Sequence, residues 1–212
     1  LTEAATLAGS PEFGREQSDI FRYQARAYKL RAYLMKDPEK SNELMLASNA
    51  ARTSAERART YFYKEGVVWG LVLEGRLAYF YNKLGESDGY FERARDLVEE
   101  AEYGGAVPHL YRHWALVHGA QKDLDKAGRD IHLAWKATIK SNRSYLRALI
   151  KDTWAKILVQ TGNVDKGRHY FAQALREYRR CGLFQEPFSV VQTRIRTSLI
   201  SSNAQLNEER PW

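Results

Sequence analysis

Apolar side chains recur at three- and four-residue steps along nearly the whole chain, and this periodicity constrains the fold most strongly. In SDIFRYQARAYKLRAYLM, the residues Ile20, Tyr23, Ala27, Leu30 and Leu34 share one predicted helix face. The chain has five prolines in 212 residues, which favours long helices over many short strands. The sequence therefore predicts an all-α fold of about eight or nine helices.

Capping and turn signals indicate where these helices begin and end. Ser18 or Asp19 is expected to cap the first helix. Gly85 is expected to end the third helix, which the pattern predicts over residues 60–84. Pro108 suits the first turn of the fifth helix, and EPFSVVQTRIRTSLISSN has the pattern of a ninth.

Three segments align on their turns: LAYFYNKLGESDGYFERARDL, WALVHGAQKDLDKAGRDIHLA and WAKILVQTGNVDKGRHYFAQA. Each opens with a large residue followed by alanine, and the segments are 37 and 40 residues apart. Such self-similarity is the signature of a repeat architecture. The aligned positions are the turn residues Gly85, Lys122 and Gly162, then Asp88, Asp125 and Asp165, then Tyr90, Ala127 and Gly167, and then Ala94, Ile131 and Phe171.

This pattern resembles the tetratricopeptide repeat over roughly residues 60–181. In that family a Gly closes the first helix of each pair, and small residues on the second helix let the two pack closely. The resemblance implies a right-handed α-solenoid of antiparallel helix pairs over residues 15–200. Two features depart from the family. The distance between successive segments exceeds the usual repeat length of about 34 residues, and Tyr90 and Gly167 replace the usual Ala.

The two ends of the chain differ from this central domain. Residues 1–14, LTEAATLAGSPEFG, resemble the remnant of an expression vector and are excluded from the fold prediction. Residues 201–212 are predicted to form a polar tail.

The chain is basic, with 33 Lys and Arg against 26 Asp and Glu, a net charge of +7. Residues 1–14 hold two of the glutamates and no basic residue, so the remainder carries +9. This charge favours an anionic partner, although a solvated surface with surplus arginine would give the same composition. Cys181 is the single cysteine, which excludes an internal disulfide and favours a cytoplasmic location. No run of about 18 apolar residues indicates a membrane span.

Candidate chemistry is sparse in this sequence. Gly162 and Gly167 have the separation of glycines in a phosphate-binding loop, but Arg168 and His169 follow where Lys and Ser or Thr are required. The repeat instead predicts that TGNVDKG is a hairpin turn, with Gly167 as the small residue at the helix crossing. No catalytic constellation is present, so neither an enzyme nor a cofactor is predicted.

Histidines and the cysteine offer weaker signals. His109 and His113 are four residues apart, a spacing that can hold a metal, but no acidic or cysteine ligand lies nearby in sequence. They are expected to line a helix face, and no metal is predicted. His118 is expected to be a packing residue. Cys181 follows two arginines, which could lower its pKa, although an ordinary free thiol is the simpler interpretation.

Aromatic and basic side chains leave two interpretations open. Trp69, Trp114, Trp135 and Trp154 are expected to pack in the core, whereas an aromatic groove or a base-stacking surface would need exposed rings beside Arg and Lys. YFYKEG is one such cluster. Further basic clusters are RTSAERAR, at residues 52–59, the pair Arg179 and Arg180, and the pair Arg194 and Arg196.

The first helices of a solenoid line its concave surface, where ligands usually bind. Residues between the packing positions of these helices are therefore expected to form a groove of mildly basic character, suited to an acidic or extended peptide. The predicted groove residues are Tyr79, Asn82, Lys83, His109, Arg112, His113, Asp152, Lys156 and Gln160.

The sequence thus predicts a protein–protein interaction or scaffold module, as part of a larger regulatory or signalling protein. A helical-repeat RNA-binding protein is the alternative, motivated by the charge and the aromatic residues. The uneven spacing and the absence of a recurring polar pair count against RNA readout. Self-association is also expected to be possible, because the ends of a solenoid expose apolar faces. Gly75 and Tyr79 replace the Lys and Asn with which some tetratricopeptide domains clamp a terminal carboxylate, so that activity is not predicted.

Overall fold

The structure, a computed structural model, describes residues 14–32, 39–61, 63–101, 104–139 and 144–181. Every regular element in these ranges is an α-helix, so the all-α prediction is confirmed. The predicted ninth helix, the polar tail and nearly all of the vector-like segment lie outside the described residues. The helices are α1 Gly14–Ala32, α2 Glu39–Thr60, α3 Lys64–Phe80, α4 Leu84–Ala101, α5 Val107–Ala120, α6 Leu124–Ile139, α7 Ser144–Gln160 and α8 Val164–Arg180.

Consecutive helices pack in pairs, as expected for a helical solenoid: α1 on α2, α3 on α4, and α7 on α8. Helix α2 also packs on α3, and α1 contacts α3. Alanines allow the helices to approach closely, and Ala47 and Ala51 of α2 are completely buried. The chain divides into two compact units, with the boundary inside α5 between His113 and Trp114.

The first helix buries a different face from the one that its apolar pattern predicts. Tyr23 is 51% exposed, and the face that packs on α2 includes Ala25 and Ala32. Ser18 lies inside the helix rather than at its cap. Its hydroxyl donates to the carbonyl of Ser54 (3.0 Å), and the Ser54 hydroxyl donates to the carbonyl of Ser18 (2.7 Å). This buried polar exchange fixes α1 against α2 more specifically than apolar packing does.

Three hairpin turns repeat the same geometry at forty-residue intervals. A residue with positive φ follows α3, α5 and α7: Asn82 (58°), Lys122 (65°) and Gly162 (89°). The next residue closes each turn by donating its backbone N–H to the carbonyl five positions earlier, as in a Schellman motif. The hairpin prediction for TGNVDKG is therefore confirmed.

These turns correct the predicted alignment of the first segment by three residues. Gly85 does not end the third helix but lies exposed in the first turn of α4, and Asn82 takes the left-handed position. Asn tolerates that conformation because its short polar side chain can hydrogen-bond locally. The repeat length is therefore forty residues throughout, rather than 37 and 40, and Asp88 leaves the aspartate column.

The corrected alignment brings small, buried residues into register on the second helix of each pair. Ser87 takes the position predicted for Tyr90, and its hydroxyl donates to the carbonyl of Gly75 at the α3–α4 crossing (2.6 Å). The α3–α4 crossing therefore includes a side-chain hydrogen bond at this position, whereas Ala127 and Gly167 have no polar side chain at the equivalent positions. The aligned buried positions are Ser87, Ala127 and Gly167, and then Ala94, Ala134 and Ala174.

Gly167 packs against α7 as its predicted role requires. A Cβ atom at this position would lie 2.5 Å from Cγ2 of Val159 and 3.0 Å from the carbonyl oxygen of Ala155. Such separations are shorter than side chains tolerate, so the α7–α8 crossing depends on the absence of a side chain here.

Candidate functional site

The predicted groove residues of the first unit are placed unequally. Tyr79 is half-buried in α3, whereas Asn82 and Lys83 lie exposed in the turn, because α3 ends at Phe80. Their assignment to the third helix was therefore wrong. Lys83 donates to the carboxylate of Glu86 (3.0 Å), an exposed pair.

The predicted groove residues of the fifth helix are largely inaccessible. Arg112 and His113 are 8% and 4% exposed, and His109 is half-buried with its ring centroid 5.0 Å from that of Trp69. In the second unit, Asp152 and Lys156 are half-buried and Gln160 is exposed, all on α7. A single groove formed by all nine residues stays a prediction.

Within the first unit, ring contacts bring α1, α3 and α5 side by side. The Arg22 guanidinium of α1 lies over the Trp69 ring of α3, 5.4 Å from its centroid. That ring in turn contacts His109 of α5. The first helices of three successive pairs therefore form one row, and side chains further along them share a common environment.

Seven residues beyond Arg22 and Trp69, this row holds Lys29 and Arg76. With Arg112 and His113 of α5 they form what we call the buried cation cluster. Lys29 is 5% exposed and makes no hydrogen bond or ion pair with another described residue.

The hydrogen bond between Arg112 and His113 determines which ring nitrogen of His113 carries the proton. Its Nε2 lies 2.8 Å from Nη2 of Arg112. A guanidinium can only donate, so Nε2 accepts and the ring proton of the neutral imidazole is on Nδ1. That Nδ1 is buried and has no hydrogen-bond partner. The cluster therefore contains a buried donor that is aimed at no described acceptor.

The charged groups that act on Lys29 and His113 are all positive. Burial lowers the pKa of Lys29 well below its ordinary value, and the positive charges of Arg76, Arg112 and Arg26 lower it further. Burial lowers the pKa of His113 in the same way, with additional repulsion from the cluster and from His109. The charged groups that act on both side chains are cationic, so the site favours the arrival of negative charge.

A second feature of the first unit is a cavity of about 460 Å³ bounded by α2, α3 and α4. Ala58, Val67, Leu71 and Leu97 give it an apolar floor, and charged side chains surround that floor. We call this cavity the basic-rimmed groove. Its charged lining residues are Arg59, Lys64, Arg93 and Asp96.

The rim of this groove is basic after its internal pairs are subtracted. Lys64 pairs with Glu100 (2.7 Å), and Asp96 pairs with Arg95 (2.8 Å). Arg59 and Arg93 are exposed and make no ion pair with another described residue. Two uncompensated guanidinium groups therefore stand over an apolar floor.

The remaining sequence candidates have structural roles. His118 is buried, with Nδ1 2.6 Å from the carboxylate of Asp130, and its ring stacks on Trp114 at 5.5 Å. Burial raises the pKa of Cys181, with a further contribution from Glu177, which contradicts a lowered value. No three histidine, cysteine or acidic side chains in the described ranges are grouped closely enough to hold a metal ion.

The tryptophans divide between core and surface. Trp114 is buried, and half-buried Trp154 packs against the α5–α6–α7 core of the second unit. Trp69 and Trp135 are half-buried beneath cations, and Lys151 lies 5.1 Å from the Trp135 ring centroid. Core packing was therefore correct for Trp114 and only partly so for the others. Phe62, in the middle of YFYKEG, lies outside the described residues.

No helix among the described residues combines the length and the apolar character needed to cross a bilayer. Comparisons with protein-family models, with curated proteins and with solved structures found no match to this chain. The resemblance to tetratricopeptide repeats therefore stays a prediction.

Sequence reasoning missed Lys29 and Arg76, although one signal for Lys29 was present. Lys29 lies four residues after Ala25 and three before Ala32, on the face that α1 buries. A lysine on the apolar stripe of a helix is unusual enough to mark a candidate site. The signal was hidden because the face assigned to this helix was the wrong one.

Proposed function

We propose that this chain is an interaction module that binds an acidic, amphipathic segment of a partner protein. The basic-rimmed groove supports this proposal best, because the exposed side chains of Arg59 and Arg93 border its apolar floor and form no ion pair with another described residue. An apolar helix face would pack on half-buried Leu97 while carboxylates on its flanks meet the two guanidinium groups. The net charge of the chain favours the same class of partner.

The role in a larger regulatory or signalling protein, and the cytoplasmic location, are part of the same proposal. Both rest on the repeat-like helix pairs, which commonly present surfaces for other proteins.

Reversing the two rim charges tests the proposal. The probe is a short synthetic helical peptide with leucines on one face and glutamates on the other, followed by fluorescence anisotropy. Arg59→Glu combined with Arg93→Glu should weaken binding at least about tenfold, equivalent to about 1.4 kcal/mol. Arg57→Glu is the matched control, because Arg57 is exposed on the same helix but does not line the groove.

The sequence-predicted groove is tested in the same assay with Lys156→Glu. If that change weakens binding and the two rim reversals do not, the basic-rimmed groove is not the binding surface. RNA binding, the alternative, is favoured instead if the peptide does not bind and single-stranded RNA binds with a steep salt dependence.

A further inference from the structure

We propose that the first unit binds a small, doubly charged oxyanion of the phosphate type in the cavity beside Lys29. This site is separate from the basic-rimmed groove and does not depend on the partner proposed above. The proposal rests on the burial and isolation of two side chains, on the cavity into which one of them opens, and on the sign of the surrounding charge.

Burying like charges together destabilises a fold unless an opposite charge accompanies them. Lys29 and His113 are 5% and 4% exposed, and no described carboxylate is among the charges acting on them. The Nδ1–H of His113 is also left without an acceptor. A bound anion beside Lys29 would supply the missing charge.

The Lys29 side chain lines a cavity of about 190 Å³ together with Ala32, Lys40, Leu44 and Phe80. The Arg76 guanidinium lies over the Phe80 ring, 5.8 Å from its centroid, so a second cation adjoins this space. A water molecule takes up about 30 Å³ of liquid, so the cavity has room for an anion the size of phosphate. Pockets for drug-sized ligands start at about 300 Å³, which disfavours a whole nucleotide.

The number of cations favours a dianion over a single carboxylate. Lys29 and Lys40 line the cavity, and the positive charges of Arg76 and Arg112 act on Lys29. A tetrahedral oxyanion offers several acceptor oxygens to donors that approach from different helices, whereas one carboxylate presents two oxygens in a plane.

The test measures the melting temperature of the full 212-residue chain in inorganic phosphate and in sodium chloride of equal ionic strength. Phosphate should raise the melting temperature saturably by a few degrees, because a ligand that binds only the folded state stabilises it. Lys29→Met keeps the length of the side chain and removes its charge, so the variant should fold at least as stably while losing the phosphate shift. Lys136→Met, at an exposed lysine of α6 that does not line this cavity, should keep it.

Two results would overturn the proposal. One is an equal phosphate shift in Lys29→Met and in the unchanged chain, and the other is no difference between phosphate and chloride in the unchanged chain. Parallel titrations with phosphoserine and with acetate identify the source of the charge. Stronger stabilisation by phosphoserine indicates a phosphoryl group carried on a larger molecule, whereas equal or stronger stabilisation by acetate contradicts the preference for a dianion.

Discussion

Two buried histidines of α5 lie five residues apart and have opposite surroundings. His118, in the second unit, has a carboxylate partner in Asp130 and an aromatic neighbour in Trp114. His113, in the first unit, is surrounded by the cations Lys29, Arg76 and Arg112. The two are almost equally buried, so burial alone does not distinguish a structural histidine from one at a candidate binding site.

The difference extends to the packing around each histidine. The second unit pairs buried His118 with Asp130 and closes the α7–α8 crossing over Gly167. The first unit buries Lys29 and His113 near Arg76 and Arg112, and Lys29 lines a cavity. Perturbed titratable groups that open onto a cavity mark binding sites more often than scaffolds. The comparison therefore places the proposed anion site in the first unit.

The largest expected effect comes from a change at the close-packed α7–α8 crossing of the second unit. Gly167→Leu should lower the free energy of unfolding by about 3 kcal/mol, because even a Cβ atom would overlap Val159 and approach the backbone of Ala155. Denaturant unfolding measures it. Gly89→Leu on α4 is the control, since a Cβ there meets nothing within 4 Å. Equal stability of the Gly167 variant and the unchanged chain would refute the close-packed crossing.

A smaller effect is expected from removing the partner of His118. Asp130→Ala should lower the free energy of unfolding by about 2 kcal/mol, because it leaves a buried ring nitrogen without its acceptor. Asp125→Ala, an exposed aspartate in the first turn of the same helix, should cost less than about 1 kcal/mol. If the two variants are equally stable, His118 and Asp130 do not form the structural pair inferred above.

The smallest effect appears in the pH dependence of stability. The pKa of His113 is lowered in the folded chain, so the unfolded chain takes up a proton first as the pH falls below about 6.5. Stability that is fully present at higher pH is therefore lost on acidification, by at most about 1.4 kcal/mol per pH unit. His113→Gln should lack this component, which appears as a shallower slope between pH 6.5 and 5 in denaturant unfolding.

This test compares the slope of stability against pH between two variants that each lack one histidine. His132→Gln, at an exposed histidine of α6, is the control for the removal of one imidazole. Identical slopes for His113→Gln and His132→Gln would mean that His113 is not held among cations in solution.

Helix content and most helix ends were predictable from the sequence, because periodicity, proline and the turn residues act locally. Pro108 lies in the first turn of α5, as predicted. The third helix was extended too far because Gly85 has a strong intrinsic preference for the left-handed position. The chain instead turns at Asn82, which places Ser87 and Ala94 at the crossing. Packing between helices thus overrode the preference of one residue.

The candidate sites were less predictable because they depend on helices that are distant in sequence. Lys29, Arg76 and Arg112 belong to three different helix pairs, and no local pattern indicates that α1, α3 and α5 lie side by side. The basic-rimmed groove likewise combines Arg59 with Arg93 from separate helices. Predicting such neighbours requires the correct alignment of the repeats. The predicted alignment was wrong by three residues in its first segment, because it used Gly85 in place of Asn82.

The forty-residue turns also bear on how proteins built this way change length. Asn82, Lys122 and Gly162 differ chemically but hold the same backbone geometry, with the same closing hydrogen bonds. A duplication or deletion that runs from one turn to the next would join two equivalent ends and leave every hairpin intact. The left-handed position of these turns therefore accepts Asn, Lys or Gly with the same closing hydrogen bond, so the backbone rather than a particular side chain defines the unit that would be copied or lost.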